Sequence, residues 1–230
     1  RGTGNRRDPC FSDPAEVEAM GKRVTEHIAA RRAWGFYGYN MDDETHLHQD
    51  GSVELCTCDF CRDGFAAWAR EQFGAIAAAN AEWDTDYASF EDIQVPLLAD
   101  MKGAENPSRW VDFRLYQERT WANAYARTHD AVRARIPDAR MSFTNPYRYN
   151  SLSGTDFALW TPHEELLLRY FHRHVVDRNR SWTDAPMVSW FGYQSNAAEC
   201  RHFVWWFALN GGVIPIWWDP LEPWAYSGKE

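Results

Sequence analysis

Residues 34–61 read WGFYGYNMDDETHLHQDGSVELCTCDFC, and the two ends of this stretch govern how the rest of the chain is read. Trp34–Met41 is aromatic, has strand character and runs into three consecutive carboxylates, Asp42, Asp43 and Glu44. The other end is a C-x-C-x2-C cluster, Cys56, Cys58 and Cys61, which begins twelve residues after Glu44. With Cys10, upstream in RRDPC, the cluster can offer four thiolates to one tetrahedral metal, zinc being the natural choice for such soft ligands. Four cysteine ligands leave no open coordination position, so a site of this kind is structural. Reduced thiols in a loop are the plainer reading, with His46 and His48 as substitute ligands should Cys10 lie too far away. A metal-pinned loop directly behind a carboxylate-tipped strand is one way to hold a catalytic acid in place.

Working outward, Asp13-Pro14-Ala15-Glu16 has the form of a helix start: an N-cap Asp, Pro in the first turn and Glu three residues on. Val17, Met20, Val24 and Ile28 follow at helical spacing and predict a buried face to about residue 32. Further helices are expected over 60–73, in a short Ala-rich run to Trp83, and over 108–136, where Ser108 is the expected cap. Residues 84–107, with Pro96, Gly103 and Pro107, predict irregular structure. Beyond Pro137 the pattern alternates. Strands are expected at Arg140–Asn145, Asp156–Trp160, Met187–Phe191 and Val213–Trp218, with helices over 162–175 and 197–209. Five short apolar strands interleaved with helices predict a parallel sheet covered by helices. Polar and aromatic residues gather at the C-terminal strand ends, the edge where α/β proteins place their ligands.

The chain's 230 residues are enough for one domain with a buried core, and residues 1–230 read as a single unit without repeat or linker. A net charge of −9 argues against nucleic acid and anionic membrane surfaces as partners. No apolar run approaches the roughly 20 residues that span a bilayer. Arg1 in place of an initiator Met predicts a trimmed or processed start. Five cysteines, three of them packed together, suit thiolate ligation better than a disulfide scaffold, and reduced cysteines lean toward a cytoplasmic setting. Cys200, in the helical run AAECRHFVWWFALN, reads as a small buried hydrophobe. The 13 Trp residues, several at strand ends, lean toward carbohydrate, because an indole face stacks on the apolar face of a sugar ring.

Three adjacent carboxylates repel one another, which raises at least one pKa and favours a proton-holding group. A glycosidic acid needs that property, although a solvated acidic turn satisfies the spacing as well. Candidates at the other strand ends are Asn145, Trp190, Tyr193 and the Trp217-Trp218-Asp219 run. Asp219 and Glu199 are the carboxylates best placed to oppose Glu44, and cap or surface roles suit both equally well.

GNRRDPCFSDP (4–14), YNMDDE (39–44), CTCDFCRDGFAAWAREQFG (56–74) and NAEWDTDYASFEDIQVP (80–96) together resemble consecutive landmarks of glycoside hydrolase family 42, the β-galactosidase-type enzymes. SFTN (142–145) is similar to a later strand of that family. The resemblance implies a (β/α)8 TIM barrel, of which this chain holds the part from after strand 3 to strand 8. It implies structural zinc on Cys10, Cys56, Cys58 and Cys61, and Glu44 as acid/base at the end of strand four. Five strands cannot close an eight-stranded barrel, so the remaining strands are expected from other segments of a longer chain.

Two departures stand out. The family's Asn before the acid/base is Asp43 here, and a carboxylate accepts but does not donate unless protonated. The family's nucleophile is a Glu on strand seven, and the matching stretch MVSWFGY (187–193) holds no acid. The expected function is cleavage of β-linked galactosides or related oligosaccharides, with Asp43, Asn145, Trp190, Tyr193 and Trp218 on the sugar and Asp219 or Glu199 as second carboxylate. The alternative is a non-catalytic carbohydrate-binding or scaffold protein on a degraded hydrolase barrel. A zinc-ribbon interaction module fits poorly with a chain this large and acidic. Carbohydrate is thus the expected partner, and homo-oligomer formation stays open.

Overall fold

The computed structural model describes residues 6–43, 46–47, 55–144, 154–170, 173–191 and 196–217. By contacts the chain divides into two units, 1–27 with 46–135 and 149–160, and 28–45 with 136–148 and 161–230. No helix among the described residues is long and apolar enough to cross a membrane.

The first unit is helical. Helix α1 (Pro14–Arg31) starts as its sequence predicts, with Asp13 Oδ1 accepting from the backbone N–H of Ala15 at 3.0 Å and Pro14 in the first turn. Its buried stripe differs from the expected one. Val17 and Ile28 are buried, but Gly21 and Thr25 carry the centre while Met20 and Val24 are half-buried. The small residue lets α1 approach closely, Gly21 facing Thr128 and Ala131 of helix α4 (Ser108–Arg135). Helices α2 (Asp59–Phe73) and α3 (Ile76–Trp83) pack with α4 around Phe65. The Phe65 ring meets Trp68, Trp83, Phe113 and Tyr116 at centroid distances of 5.2–5.8 Å. Asn106, rather than Ser108, caps α4: its Oδ1 accepts from the Ser108 N–H at 3.0 Å. Helix α5 (Phe157–Trp160) brings Trp160 onto Trp121 and Tyr125 at 4.6 and 4.7 Å.

The second unit carries five short parallel strands. Strand β1 (Tyr39–Asn40) pairs with β2 (Met141–Ser142), and β3 (Leu167–Tyr170), β4 (Met187–Phe191) and β5 (Gly212–Trp217) form a sheet in that order. Pro215, which has no N–H for a ladder, lies in β5, an edge strand among the described residues. Helices α6 (Arg173–Arg180) and α7 (Ala197–Leu209) follow β3 and β4. Leu167, Val176, Met187 and Phe207 form one buried cluster there, and Leu166, Leu168 and Val188 another.

Two sequence expectations fail between residues 156 and 175. The expected strand at 156–160 is α5, capped by Asp156, whose Oδ1 accepts from the Ala158 N–H at 2.9 Å. The expected helix at 162–175 contains β3 instead. Glu164 and Glu165 look like first-turn helix acids, and a three-residue leucine run does not separate helix from buried strand by periodicity. Both acids serve strand neighbours. Glu165 Oε2 accepts from the Met141 N–H at 3.0 Å, and Glu164 is buried against β3. Cys200, expected to be buried, is half-buried.

Candidate functional site

Cys10, Cys56, Cys58 and Cys61 converge in the first unit, all buried, with their sulfurs within 4.8 Å of one another. Five of the six Sγ···Sγ separations are 3.6–3.8 Å. A disulfide needs about 2.05 Å, so these are thiols in contact and not bridges. A tetrahedron of metal–sulfur bonds of about 2.3 Å has edges of about 3.8 Å, which is the spacing present. The donor set fits one tetrahedral thiolate-bound metal.

The segments that supply the ligands are fixed independently. Cys10 lies in a turn closed by the Asp13 N–H on the Cys10 carbonyl at 3.0 Å. Glu16 accepts from the Cys10 N–H and also takes Arg6, which pairs with Asp13 at 3.0 Å. Cys58 is the N-cap of α2, and Cys61 falls in its first turn, where the positive end of the helix favours thiolate. The Arg7 N–H donates to Cys56 Sγ at 3.2 Å, and Gln117 Nε2 donates to the Cys56 carbonyl at 3.4 Å.

Arg7 also reaches the loop behind the acidic triplet. Its guanidinium donates to the carbonyls of His46 and Leu47 at 3.0 and 2.8 Å. Leu47 is buried against Gly154, where a Cβ would stand 2.2 Å from Leu47 Cδ1 and where φ is +77°. Only glycine fits both the space and the backbone at that position. Of the two histidines, His46 gives its carbonyl to Arg7 and is not among the converging side chains, and His48 lies outside the described residues.

Four sulfurs in contact cannot all be anionic without a cation among them. The Cys56 thiol is depressed to about 2 by bonds from Cys10 and Cys61, which outweigh its burial. Cys10 is pushed up to about 12 by its bond to Cys56, and Cys61 is raised by Cys10, Cys56 and burial. Without metal, Cys56 carries charge while Cys10 and Cys61 keep their protons. Of the polar surroundings of the cluster, Arg6, Arg7, Ser12, Tyr116 and Gln117 carry no role in the sequence reading, and Glu16 has only that of a helix start. The Arg-Arg pair and a glycine in mid-helix at position 64 are the signals that could have found them.

At the strand ends, the Met41 N–H donates to the Ser142 carbonyl at 2.8 Å and the Thr144 N–H to the Asp42 carbonyl at 3.0 Å. Pairing between β1 and β2 therefore continues past both strands, up to the acidic triplet. Asp42 and Asp43 are exposed, and Asp42 Oδ1 accepts from the Asp43 N–H at 2.9 Å. Glu199 is exposed in the first turn of α7, its N–H bonded to the Asn196 side chain at 3.0 Å. Trp190 belongs to β4. Glu44, Asn145, Tyr193, Trp218 and Asp219 lie outside the described residues, four residues beyond β1 in the case of Glu44 and one and two beyond β5 for the last pair.

The second unit holds a buried polar centre that the sequence reading missed. Arg169 in β3 donates to Glu164 at 2.5 and 3.1 Å, to the Phe143 carbonyl at 2.8 Å and to the Leu168 carbonyl at 2.9 Å. Ser142 Oγ donates to Glu164 at 3.2 Å and accepts from the Leu168 N–H at 2.8 Å. These side chains knit β2 to β3, which no backbone ladder joins among the described residues.

The family model for glycoside hydrolase family 42, described as β-galactosidase, matches residues 1–203. The chain belongs to this family. The β-galactosidase BgaA of a Thermus species is 29% identical over 236 residues, covering 96% of this chain and 35% of that protein. Among solved structures, a β-galactosidase from the psychrophilic Marinomonas ef1 superposes with a TM-score of 0.72 at 15% identity, over 95% of this chain and 39% of the other. A family 42 exo-carrageenase from Bacteroides ovatus gives 0.74 at 16% identity, over 90% and 34%. The fold is therefore part of the family 42 TIM barrel, and the chain spans about a third of the length of these relatives. In barrel order, β1–β5 correspond to the expected strands four to eight, β1 and β2 running parallel to each other and β3, β4 and β5 likewise.

Proposed function

We propose that this family 42 chain forms part of the catalytic barrel of a glycoside hydrolase that cleaves β-linked galactosides or related oligosaccharides. The observation that carries the reading is the family match across the segment where the acidic triplet follows the first of five parallel strands. Glu44 is the general acid/base, giving its proton to the glycosidic oxygen as the leaving group departs. Asp43 contacts the sugar's 2-hydroxyl as an acceptor, Asn145 is a further polar contact, and Trp190, Tyr193 and Trp218 form the aromatic platform. The second carboxylate is Asp219 or Glu199. A separation from Glu44 of about 5 Å gives retention of configuration, and a wider gap gives inversion.

Residues 1–230 act as one portion of a single barrel domain, completed by segments outside these 230 residues. The relatives' greater length supports this. The four cysteines would hold a structural zinc, which supplies a closed cross-link between the Cys10 turn and the loop entering α2 and takes no part in bond cleavage. The sulfur spacing supports that assignment.

Glu44→Gln in the full-length protein is expected to lower turnover of an unactivated β-galactoside by about a hundred- to ten-thousand-fold. Retained activity would sink the assignment. One feature favours the second reading, a carbohydrate-binding scaffold: the strand-seven stretch MVSWFGY carries no acid. Saccharide binding by the parent without turnover of any aryl glycoside would decide for it.

A further inference from the structure

Resting on the zinc reading above, we infer that Tyr116 and Ser12 form a hydroxyl relay that positions a hydrogen bond on the Cys61 sulfur and sets how tightly the centre retains its metal. A zinc ion with four thiolates carries a net charge of −2, and buried charge is tolerated only where hydrogen-bond donors meet it. Cys56 receives the Arg7 N–H. Cys61 Sγ lies 3.4 Å from Ser12 Oγ, and Ser12 Oγ lies 2.8 Å from the Tyr116 hydroxyl. When Cys61 is a metal-bound thiolate it can only accept. The Ser12 O–H then donates to Cys61 and the Tyr116 O–H donates to Ser12, so every proton in the chain points toward the sulfur.

Gly64 is the independent mark of this device. It lies inside α2, where glycine costs about 1 kcal/mol relative to alanine. Its backbone does not need glycine for a left-handed φ. What needs glycine is Tyr116: a Cβ at position 64 would stand 2.0 Å from the Tyr116 hydroxyl oxygen and 3.0 Å from Cζ. The aromatic packing of residue 116 against Phe65 and Phe113 would be served equally by phenylalanine. The helix therefore gives up propensity to house one oxygen atom, and that oxygen is bonded to the serine on Cys61. Gly64 and Tyr116 also line a cleft of about 300 Å3 between α2 and α4, so the route from a solvent-facing wall to the sulfur is two hydrogen bonds long.

The test measures zinc transfer from the purified protein to a chromogenic chelator, beside zinc content by atomic emission. Ser12→Ala and Tyr116→Phe are each expected to load one zinc per chain and to release it about 10- to 100-fold faster than the parent. The double variant should be no faster than Ser12→Ala alone, because the groups act in series. In cobalt-substituted protein both single variants should shift the thiolate-to-cobalt charge-transfer band, which a packing defect remote from the sulfur would leave in place. Gly64→Ala should behave like Tyr116→Phe, and adding Tyr116→Phe to it should restore part of the stability it costs, since the colliding atom is the hydroxyl. Parental release rates and an unmoved band in Ser12→Ala and Tyr116→Phe would overturn the relay while leaving the zinc assignment intact. A parent without zinc would overturn both, and the emission measurement separates the two outcomes.

Discussion

The two units each contain one buried polar centre that ties together segments far apart in sequence, and the centres solve the charge problem in opposite ways. The cysteine centre gathers four groups that can each become anionic and supplies no cation at its middle. The strand centre contains its own counter-charge: Arg169 and Glu164 are 1% and 0% exposed and bonded directly to each other. On the zinc reading a centre of the first kind is completed by an ion from outside, whereas the second is complete as folded. That difference decides what each responds to. Chelators and pH act on the first, and substitution of either partner acts on the second.

Metal removal should give the largest effect. Structural zinc sites bind with apparent free energies of about 10–16 kcal/mol at pH 7, and that energy is available to folding. On the zinc reading, stripping the metal at neutral pH is expected to lower the melting temperature of the first unit well beyond any single substitution discussed below. Calorimetry with and without chelator measures the shift. The same centre should be strongly pH-dependent. Cys10 and Cys61 are raised in the metal-free cluster and so carry protons at neutral pH, whereas Cys56, held near 2, does not. Zinc binding must expel at least the protons of Cys10 and Cys61, so affinity falls as pH falls. Titration calorimetry in buffers of different ionisation enthalpy counts the protons released, and a count of zero would refute the thiol assignment.

Next in size is the charge pair. Arg169→Leu leaves the Glu164 carboxylate buried without its cation, a change that costs about 3–5 kcal/mol. Adding Glu164→Leu should recover most of that loss, because removing both charges removes the desolvation penalty as well. Urea unfolding of the single and double variants measures the coupling. A double variant as unstable as Arg169→Leu would mean that the pair's other bonds, to Phe143 and Leu168, carry the stability.

The same contrast governs what was legible in the sequence. The cysteine centre could be read because its chemistry is carried by a rare residue type at tight spacing, and thiols that cluster have few reasons to do so apart from a metal. The helices flanking it can be read for a related reason: Asp13-Pro14 and the helical spacing of Val17 and Ile28 obey local rules. The strand centre uses common residues whose roles depend on what lies across the sheet. Glu164 and Glu165 have the look of a helix start, and only the neighbouring β2 turns them into acceptors for Ser142, Met141 and Arg169. For the same reason the sequence of β3 reads as helix, since a two- to six-residue strand in a parallel sheet owes its conformation to partners supplied from elsewhere. The proposed catalytic positions are legible only as strand-end positions. The run of three carboxylates marks Asp42, Asp43 and Glu44, the family landmarks choose Glu44 among them, and a second carboxylate opposing it has no local signature.

Ser142→Ala should have the smallest effect, and it asks how the strand centre holds β2 to β3. The Ser142 hydroxyl donates to Glu164 and accepts from the Leu168 N–H, so its loss leaves a buried backbone donor unmet. An unsatisfied buried group costs about 1–3 kcal/mol, and alanine leaves the space nearly filled, so the expected loss is about 1–2 kcal/mol. If β2 and β3 are joined chiefly by this hydroxyl, amide exchange at Leu168 should rise by more than the global loss of stability accounts for, while exchange at Met187 in β4 should follow the global value. If exchange rises equally at both positions, the hydroxyl is one minor bond among several. The Arg169 bonds to the Phe143 carbonyl and Glu164 would then be what closes the gap in the strand ladder.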